Sequence, residues 1–387
     1  MNIPLTKPYW GKEEIKAVTK SIRTCLGTGD GPGTKILIRQ LQKILDVPYV
    51  LPVTSGTHGL ELILSCLDLK KGDEVIVPSF TMSSTANAVI LAGATPVFAD
   101  IEEERYTIDP EDVKRRITPR TKGIILVHYA GMPCLMEEFF VLSKKYHLFI
   151  VEDSAHTMGA TYKGKALGTF GIAGSFSFHG TKNICCGEGG AVVTNNENLA
   201  NSMETYRQNG TNRREFLRGK VDKYTWVTKG TSFFLSDILA SILVAQVKKI
   251  SIINKKRREI AHAYTHAFEA YQNIVQLPVV PPHTEPNWHI YAIRFKKEAY
   301  AVQFFDGMRK RGIDVSTHYV PLHNSPMGNQ LHKPACRQVG PRFSEANILP
   351  VTESVVRTLV RLPIYPGLTD RELNYILKEA RKILESF

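Results

Sequence analysis

With 387 residues the chain exceeds what one hydrophobic core usually serves, so one large domain followed by a smaller one is expected. Its 43% apolar and 22% charged residues match a soluble globular protein, and no apolar stretch approaches the roughly 18 residues of a membrane helix. The formal net charge of +12 suits an anionic substrate, whereas the absence of any long basic run or aromatic-basic platform argues against nucleic-acid binding.

The first residues, Met1-Asn-Ile-Pro-Leu-Thr-Lys7, lack the apolar core of a signal peptide. Six cysteines (Cys25, Cys66, Cys134, Cys185, Cys186 and Cys336) form no Cys-x-x-Cys pair and have no histidine cluster beside them, so no metal site is expected. A reduced, cytoplasmic protein follows. From about residue 50 the pattern alternates between helix and strand. Helical spacing covers Thr57–Leu67, Thr85–Leu91 and Met136–Tyr146. Short apolar strands lie at Glu74–Val77, Thr95–Ala99, Gly123–Val127 and Leu148–Val151. Strands without polar alternation, separated by helices, indicate an α/β architecture with a mostly parallel sheet covered on both faces. In such sheets ligands bind at the carboxyl ends of the strands.

A long helical run over Ser236–Tyr271 is expected to lead from a large domain (1–245) into a smaller α/β domain (246–387). Its basic cluster, Lys255-Lys-Arg-Arg258, fits a solvated helix face. The smaller domain is expected to hold strands near His289–Phe295 and Val315–Val320, helices near Ala299–Arg311 and Thr369–Leu384, and a loop over 324–350.

The chemistry gathers around one lysine. Lys182 follows the strand-like Ser175-Phe-Ser-Phe178, and 29 residues upstream another strand ends in Glu152-Asp153. A lysine and an acid at the ends of adjacent buried strands are what pyridoxal phosphate (PLP) requires. The lysine forms a Schiff base, and the acid keeps the pyridine nitrogen protonated so that the ring can act as an electron sink. Thr54-Ser-Gly-Thr57 precedes a predicted helix whose N-terminus can cradle a phosphate, with Ser177 as a further hydroxyl donor. His156 can support the ring, and Gly187-Glu-Gly-Gly190 suits a tight exit from the lysine loop.

These segments, together with Pro78-Ser-Phe-Thr81, Val127-His-Tyr-Ala-Gly131 and His318-Tyr-Val-Pro-Leu-His323, resemble the DegT/DnrJ/EryC1/StrS family of PLP-dependent nucleotide-sugar aminotransferases. That resemblance implies the type I PLP-dependent transferase fold of aspartate aminotransferase. Within the family, Phe178–Asn183, Gly210–Arg213 and Val221–Trp226 look most like members that aminate C4 of dTDP-4-keto-6-deoxy-D-glucose. Those members use L-glutamate and release dTDP-4-amino-4,6-dideoxygalactose and 2-oxoglutarate, for polysaccharide biosynthesis. Amination of C3 on a dTDP-3-keto-6-deoxyhexose is the alternative.

Carried over residue by residue, the family roles make Lys182 the Schiff-base lysine and Asp153 the partner of the pyridine nitrogen. Gly56, Thr57 and Ser177 would bind phosphate, His156 would lie beside the ring, and Met82 would take the place that usually stacks on it. Ser232 matches a family asparagine that reaches the neighbouring subunit's phosphate, which implies a homodimer or dimer of dimers with shared sites. Arg213 and Lys220, with Arg214, Arg218 and Lys223, are candidates to meet the diphosphate, and Tyr319 and His323 to approach the sugar.

Overall fold

The computed structural model describes residues 1–24, 27–331 and 348–387. In the first half, strands β1 (Tyr49–Val53), β2 (Glu74–Pro78), β3 (Thr95–Ala99), β4 (Thr121–Val127) and β5 (Phe149–Asp153) precede a two-residue pair, β6 (Thr161–Tyr162) and β7 (Lys165–Ala166). Strands β8 (Ala173–Ser177) and β9 (Gly190–Thr194) follow. Seven of them form one sheet in the order β1-β9-β8-β5-β4-β2-β3. From β8 to β3 the strands run parallel, whereas β9 is antiparallel to both its neighbours.

The uninterrupted apolar runs are explained by two cores, one on each face. Val75, Val77, Ile125 and Val151 point into a cluster with the helix Gly56–Ser65. Their strand neighbours Ile76, Ile124, Leu126 and Ile150 point into another, with Met136 and Phe139 of the helix Met136–Tyr146. Successive side chains alternate between faces, so a strand buried on both faces is apolar at every position.

The later strands are β10 (Val275–Gln276), β11 (Thr284–Glu285), β12 (Tyr291–Phe295) and β13 (Leu359–Leu362). A smaller sheet of β10, β12 and β13 packs against the helices Glu298–Lys310 and Asp370–Leu384, and Ile3 from the start of the chain joins its core. Thr369 caps the last helix reciprocally with Glu372.

Four expectations change. The single run Ser236–Tyr271 divides into helices Asp237–Lys248 and Ile250–Phe268 and a short 3-10 turn, Glu269–Tyr271. The break at Lys249 needs no Pro or Gly. Ala240 and Leu243 belong to one core and Ile260 and Tyr264 to another, and the Lys249 ammonium is clamped by Glu13 and Glu14. Arg257, placed on a solvated face, is fully buried and donates to the carbonyls of Trp288 and His289 at 3.3 and 3.1 Å. Val315–Val320 is not a strand; only Ser316 bridges to Arg361, because His318 and Tyr319 turn into a cavity and Val320 is exposed. Finally, the expected loop over 324–350 opens with the helix Pro326–Leu331, while residues 332–347 lie outside the described residues.

Candidate active site

The helix Gly56–Ser65 starts at the carboxyl end of the sheet. Ser55 caps it by accepting from the His58 N–H at 3.1 Å. Glycine is required by close approach here. A Cβ on Gly56 would lie 3.0 Å from Ser177 Cβ and 3.2 Å from the Phe176 carbonyl, and one on Gly190 would lie 2.4 Å from the Ser55 carbonyl carbon. The first turn therefore rests directly on β8 and β9, with free N–H groups and the positive end of the helix dipole at the sheet's edge. Such an arrangement can hold a phosphate.

Asp153 closes β5 next to β8, in register with Ser175. Its carboxylate accepts from Thr85 Oγ1 at 2.9 Å and from the Ala155 N–H at 3.2 Å. Burial nevertheless holds its pKa above the usual carboxylate range, opposed by Thr85, Ala155 and the nearby Lys182. Behind it, Glu152 accepts from the Gly168, Phe170 and Gly171 N–H groups at 2.6–2.8 Å, and His128 Nε2 lies 2.8 Å away. This network fixes the β5 terminus from outside the cavity.

Lys182 sits in the loop after β8, its backbone N–H bonded to the His179 carbonyl at 2.8 Å. Burial lowers its pKa to about 8; Asp153 pulls it upward and Arg361 pushes it further down. Lysine, acid and helix N-terminus face one cavity of about 390 Å³. A model of the DegT/DnrJ/EryC1/StrS aminotransferase family matches residues 8–381.

The chain belongs to this family.

It is accordingly a PLP-dependent aminotransferase with the type I transferase fold. An uncharacterized protein from Methanocaldococcus jannaschii is 35% identical over 99% of this chain and 97% of its own length. Among solved structures, Helicobacter pylori PseC, an aminotransferase involved in the biosynthesis of pseudoaminic acid, superposes with a TM-score of 0.89 at 27% identity, covering 100% of both chains. DesV from S. venezuelae, solved in complex with a ketimine intermediate, gives 0.87 at 31% identity and covers 99% of each chain.

The residues of this aminotransferase fit PLP. The first turn of Gly56–Ser65, held close to β8, offers its N-terminus to the cavity as a phosphate would need, and a buried carboxylate faces the same space as a buried amine. Gly56, Thr57, Met82, His156, Ser177 and Tyr319 line the cavity with Lys182 and Asp153. His156 Nδ1 faces the Ala130 N–H at 3.4 Å, and the ring packs on His289 with centroids 4.5 Å apart. Burial and the neighbouring Lys182 hold His156 neutral, well below its usual pKa. Met82 lies at the start of the helix Ser83–Leu91 and is 60% exposed.

Other candidates are elsewhere. His323 is buried outside the cavity, with Nδ1 2.6 Å from Ser79 Oγ and Nε2 3.4 Å from Glu353. There it fastens the segment after Tyr319 to the end of β2. Ser232 and Arg213 line a second cavity of about 870 Å³, with Arg207 and Arg214. Lys220 is exposed. Within one chain none of these reaches Lys182.

Several residues were not singled out from sequence: Thr85, His289, His318 and Arg361. Arg361 had a visible signal, a single charge within the otherwise apolar Leu359-Val-Arg-Leu362. Thr85 had none, since a threonine in a helix's first turn is ordinary.

Proposed function

We propose that this PLP-dependent sugar aminotransferase moves the amino group of L-glutamate to C4 of dTDP-4-keto-6-deoxy-D-glucose, giving dTDP-4-amino-4,6-dideoxygalactose and 2-oxoglutarate. The observation that carries this reading is the buried pair of Lys182 and Asp153 in one cavity beneath the first turn of Gly56–Ser65. Bound PLP supplies an electron sink for the carbon that loses or gains a proton. Lys182 Nζ would carry the proton lost by the glutamate Cα to the cofactor carbon that takes the amino group, and in the second half-reaction carry one from that carbon to the sugar carbon. A pKa of about 8 leaves roughly a tenth of such an amine as free base at pH 7. Asp153 holds the pyridine nitrogen, while Gly56, Thr57 and Ser177 bind phosphate. His156 and Met82 flank the ring, and Tyr319 borders the sugar.

The choice of sugar rests on Phe178–Asn183 and on two further segments, Gly210–Arg213 and Val221–Trp226, that come together as one exposed ribbon. Thr211 bridges Trp226 in antiparallel fashion, the Asn212 N–H donates to the Thr225 carbonyl at 3.2 Å, and Asn212 Oδ1 accepts from the Thr225 N–H at 2.7 Å. Tyr224 and Trp226 are left 54% and 75% exposed. Exposed aromatics on the ribbon that carries Arg213 support a homodimer, or dimer of dimers, in which this ribbon reaches the neighbouring site and Arg213, Lys220 and Ser232 meet its phosphates.

The test is spectroscopic. Glutamate should bleach the visible absorbance of the holoenzyme, and dTDP-4-keto-6-deoxy-D-glucose should restore it. Product NMR then separates C4 from C3 amination. Restoration only by a 3-keto sugar would overturn the C4 assignment.

A further inference from the structure

The residue that follows the reactive lysine is the hub of a buried network. Asn183 Nδ2 donates to the Asn287 carbonyl at 2.9 Å and to Asn254 Oδ1 at 3.0 Å, while its Oδ1 lies 3.0 Å from His289 Nδ1. All four side chains are buried. Asn254 stands on the helix Ile250–Phe268, and Asn287 and His289 on the segment that enters β12. The loop that carries Lys182 is therefore tied at one point to the connecting helix and to the smaller domain.

Backbone atoms fix the direction of each bond. Asn254 Nδ2 donates to the Met158 carbonyl at 3.3 Å, and Asn287 Nδ2 donates to the His156 and Met158 carbonyls at 2.8 and 3.1 Å. A carbonyl can only accept, so none of the three amides can be turned over. Asn183 Oδ1 is then an acceptor, and the proton of His289 must reside on Nδ1. Burial, with His156, Lys182, Arg257 and Arg361 around it, holds this histidine neutral, well below its ordinary pKa. The donor therefore keeps its form across the working pH range.

The backbone is bent to make these contacts. Trp288, between Asn287 and His289, is buried with φ +49°, a left-handed conformation that bulky residues rarely adopt. The kink lets both neighbours turn to the same joint, and the His289 N–H closes on Asn287 Oδ1 at 3.2 Å. Gly159 leaves room for the network, since a Cβ there would lie 2.5 Å from Asn254 Nδ2. Strain of this kind persists only where the surroundings enforce it, and it gathers at functional sites. His289 also lines the cavity with Lys182.

We propose that Asn183 and His289 are positioning residues for Lys182: the imidazole N–H holds the asparagine, and the asparagine holds the loop that aims the lysine Nζ. This rests on Lys182 being the residue that joins PLP, and on no particular sugar. Because the lysine serves both half-reactions, both depend on how the smaller domain is seated against the connecting helix.

The test uses two variants. His289→Phe keeps an aromatic ring against His156 but cannot donate to Asn183, whereas His289→Gln keeps an amide N–H for it. Cofactor-free protein is mixed with PLP, and the rate of colour formation is followed against pH. The wild-type midpoint is expected at a pH of about 8. Asp153 and Arg361 face Lys182 in every variant, so a change of midpoint reports the burial of the lysine. A loosened loop admits water, and the phenylalanine variant should move upward by at least about half a unit, toward the ordinary 10.5. Its rate constants with glutamate and with the keto sugar should fall together by about tenfold, with dissociation constants changed by less than about threefold. The glutamine variant should stay within about 0.2 unit and about threefold of wild type. A phenylalanine variant that matches wild type, one that loses only substrate affinity or melting temperature, or a glutamine variant equally impaired would overturn the role. Should the phenylalanine variant not fold, heteronuclear NMR of histidine-labelled, cofactor-free wild type decides, with the resonance assigned by its absence from His289→Gln. Nδ1 should carry the proton, and a proton on Nε2 instead would overturn the proposal. A wild type that forms no colour with PLP would overturn the reading of Lys182 itself.

Discussion

Thr85 Oγ1 donates a 2.9 Å hydrogen bond to Asp153 Oδ2, which ties the first turn of the helix Ser83–Leu91 to the end of β5. Since that proton goes to the carboxylate, Thr81 Oγ1, 3.0 Å away, must donate to Thr85 in turn. The relay favours the ionised acid against a burial that pushes its pKa up. Thr85→Val should therefore raise that pKa further and lower turnover by about tenfold, with PLP still bound. The loss should shrink as pH rises; an equal loss across the pH range would show that Thr85 acts by packing alone.

Asp153→Asn should lose turnover by about a thousandfold while keeping some cofactor, because the pyridine nitrogen no longer faces a carboxylate. A raised folded-state pKa makes the ionised acid a liability in the cofactor-free protein. Its contribution to stability falls as pH rises from the ordinary aspartate value of 3.8 through the folded value. The asparagine variant should thus melt at higher temperature than wild type when both lack PLP at neutral pH. Calorimetry of the two cofactor-free proteins checks the sign.

Lys182→Ala should abolish the holoenzyme's visible absorbance and lower turnover by at least about 10⁴-fold. Near-wild-type activity in that variant would remove the basis of the aminotransferase chemistry assigned to it.

The lowered pKa of Lys182 predicts a pH dependence of assembly. Only the neutral amine can attack PLP, so the rate of colour formation by cofactor-free protein should rise with pH and level off above about 8. The ordinary lysine value of 10.5 would put the plateau far higher. Between those values the unfolded state binds the extra proton, so this group's contribution to stability improves as pH climbs through that window. Arg361→Gln removes a cation that disfavours the ammonium form, and should move the midpoint upward.

Gly56→Ala tests the phosphate cradle. The added methyl would press on Ser177 Cβ and the Phe176 carbonyl, and the latter belongs to the backbone of β8. A displaced first turn should weaken PLP binding by about tenfold and cost roughly 1–2 kcal/mol in denaturant unfolding. Absorbance titration measures the first and the unfolding midpoint the second.

Shared sites can be tested by mixing two crippled proteins. In a dimer of Lys182→Ala with Arg213→Glu, one site keeps both an intact lysine and an intact neighbouring ribbon. Random reassociation of equal amounts should then recover about a quarter of wild-type activity. No recovery from verified mixed dimers would mean that Arg213 serves its own chain's site.

The parallel strands, the placing of Lys182 and Asp153 at strand ends and the glycine-bearing turn before the helix Gly56–Ser65 were legible in the sequence because each leaves a local mark. A strand buried on both faces is apolar throughout, a helix N-terminus on a sheet edge needs small residues, and the reactive groups follow strands directly. Period and turn chemistry carry that information without reference to distant residues. The break at Lys249, the burial of Arg257 and the loss of the strand at Val315–Val320 left no such mark. Each depends on which core lies alongside, and on which backbone carbonyls or cavity walls that core presents.

The sequence by itself determined the kind of chemistry: an amine, an acid and a phosphate cradle in an order that belongs to one family of PLP aminotransferases. Only the tertiary structure decided the company these groups keep. It set His323 against Ser79 and Glu353, drew Arg213 and Ser232 to a second cavity, and brought Arg361 from near the end of the chain to face Lys182. The reason is physical: charge and desolvation act across space between residues whose separation along the chain is arbitrary, so the pKa of a lysine is set by the fold around it.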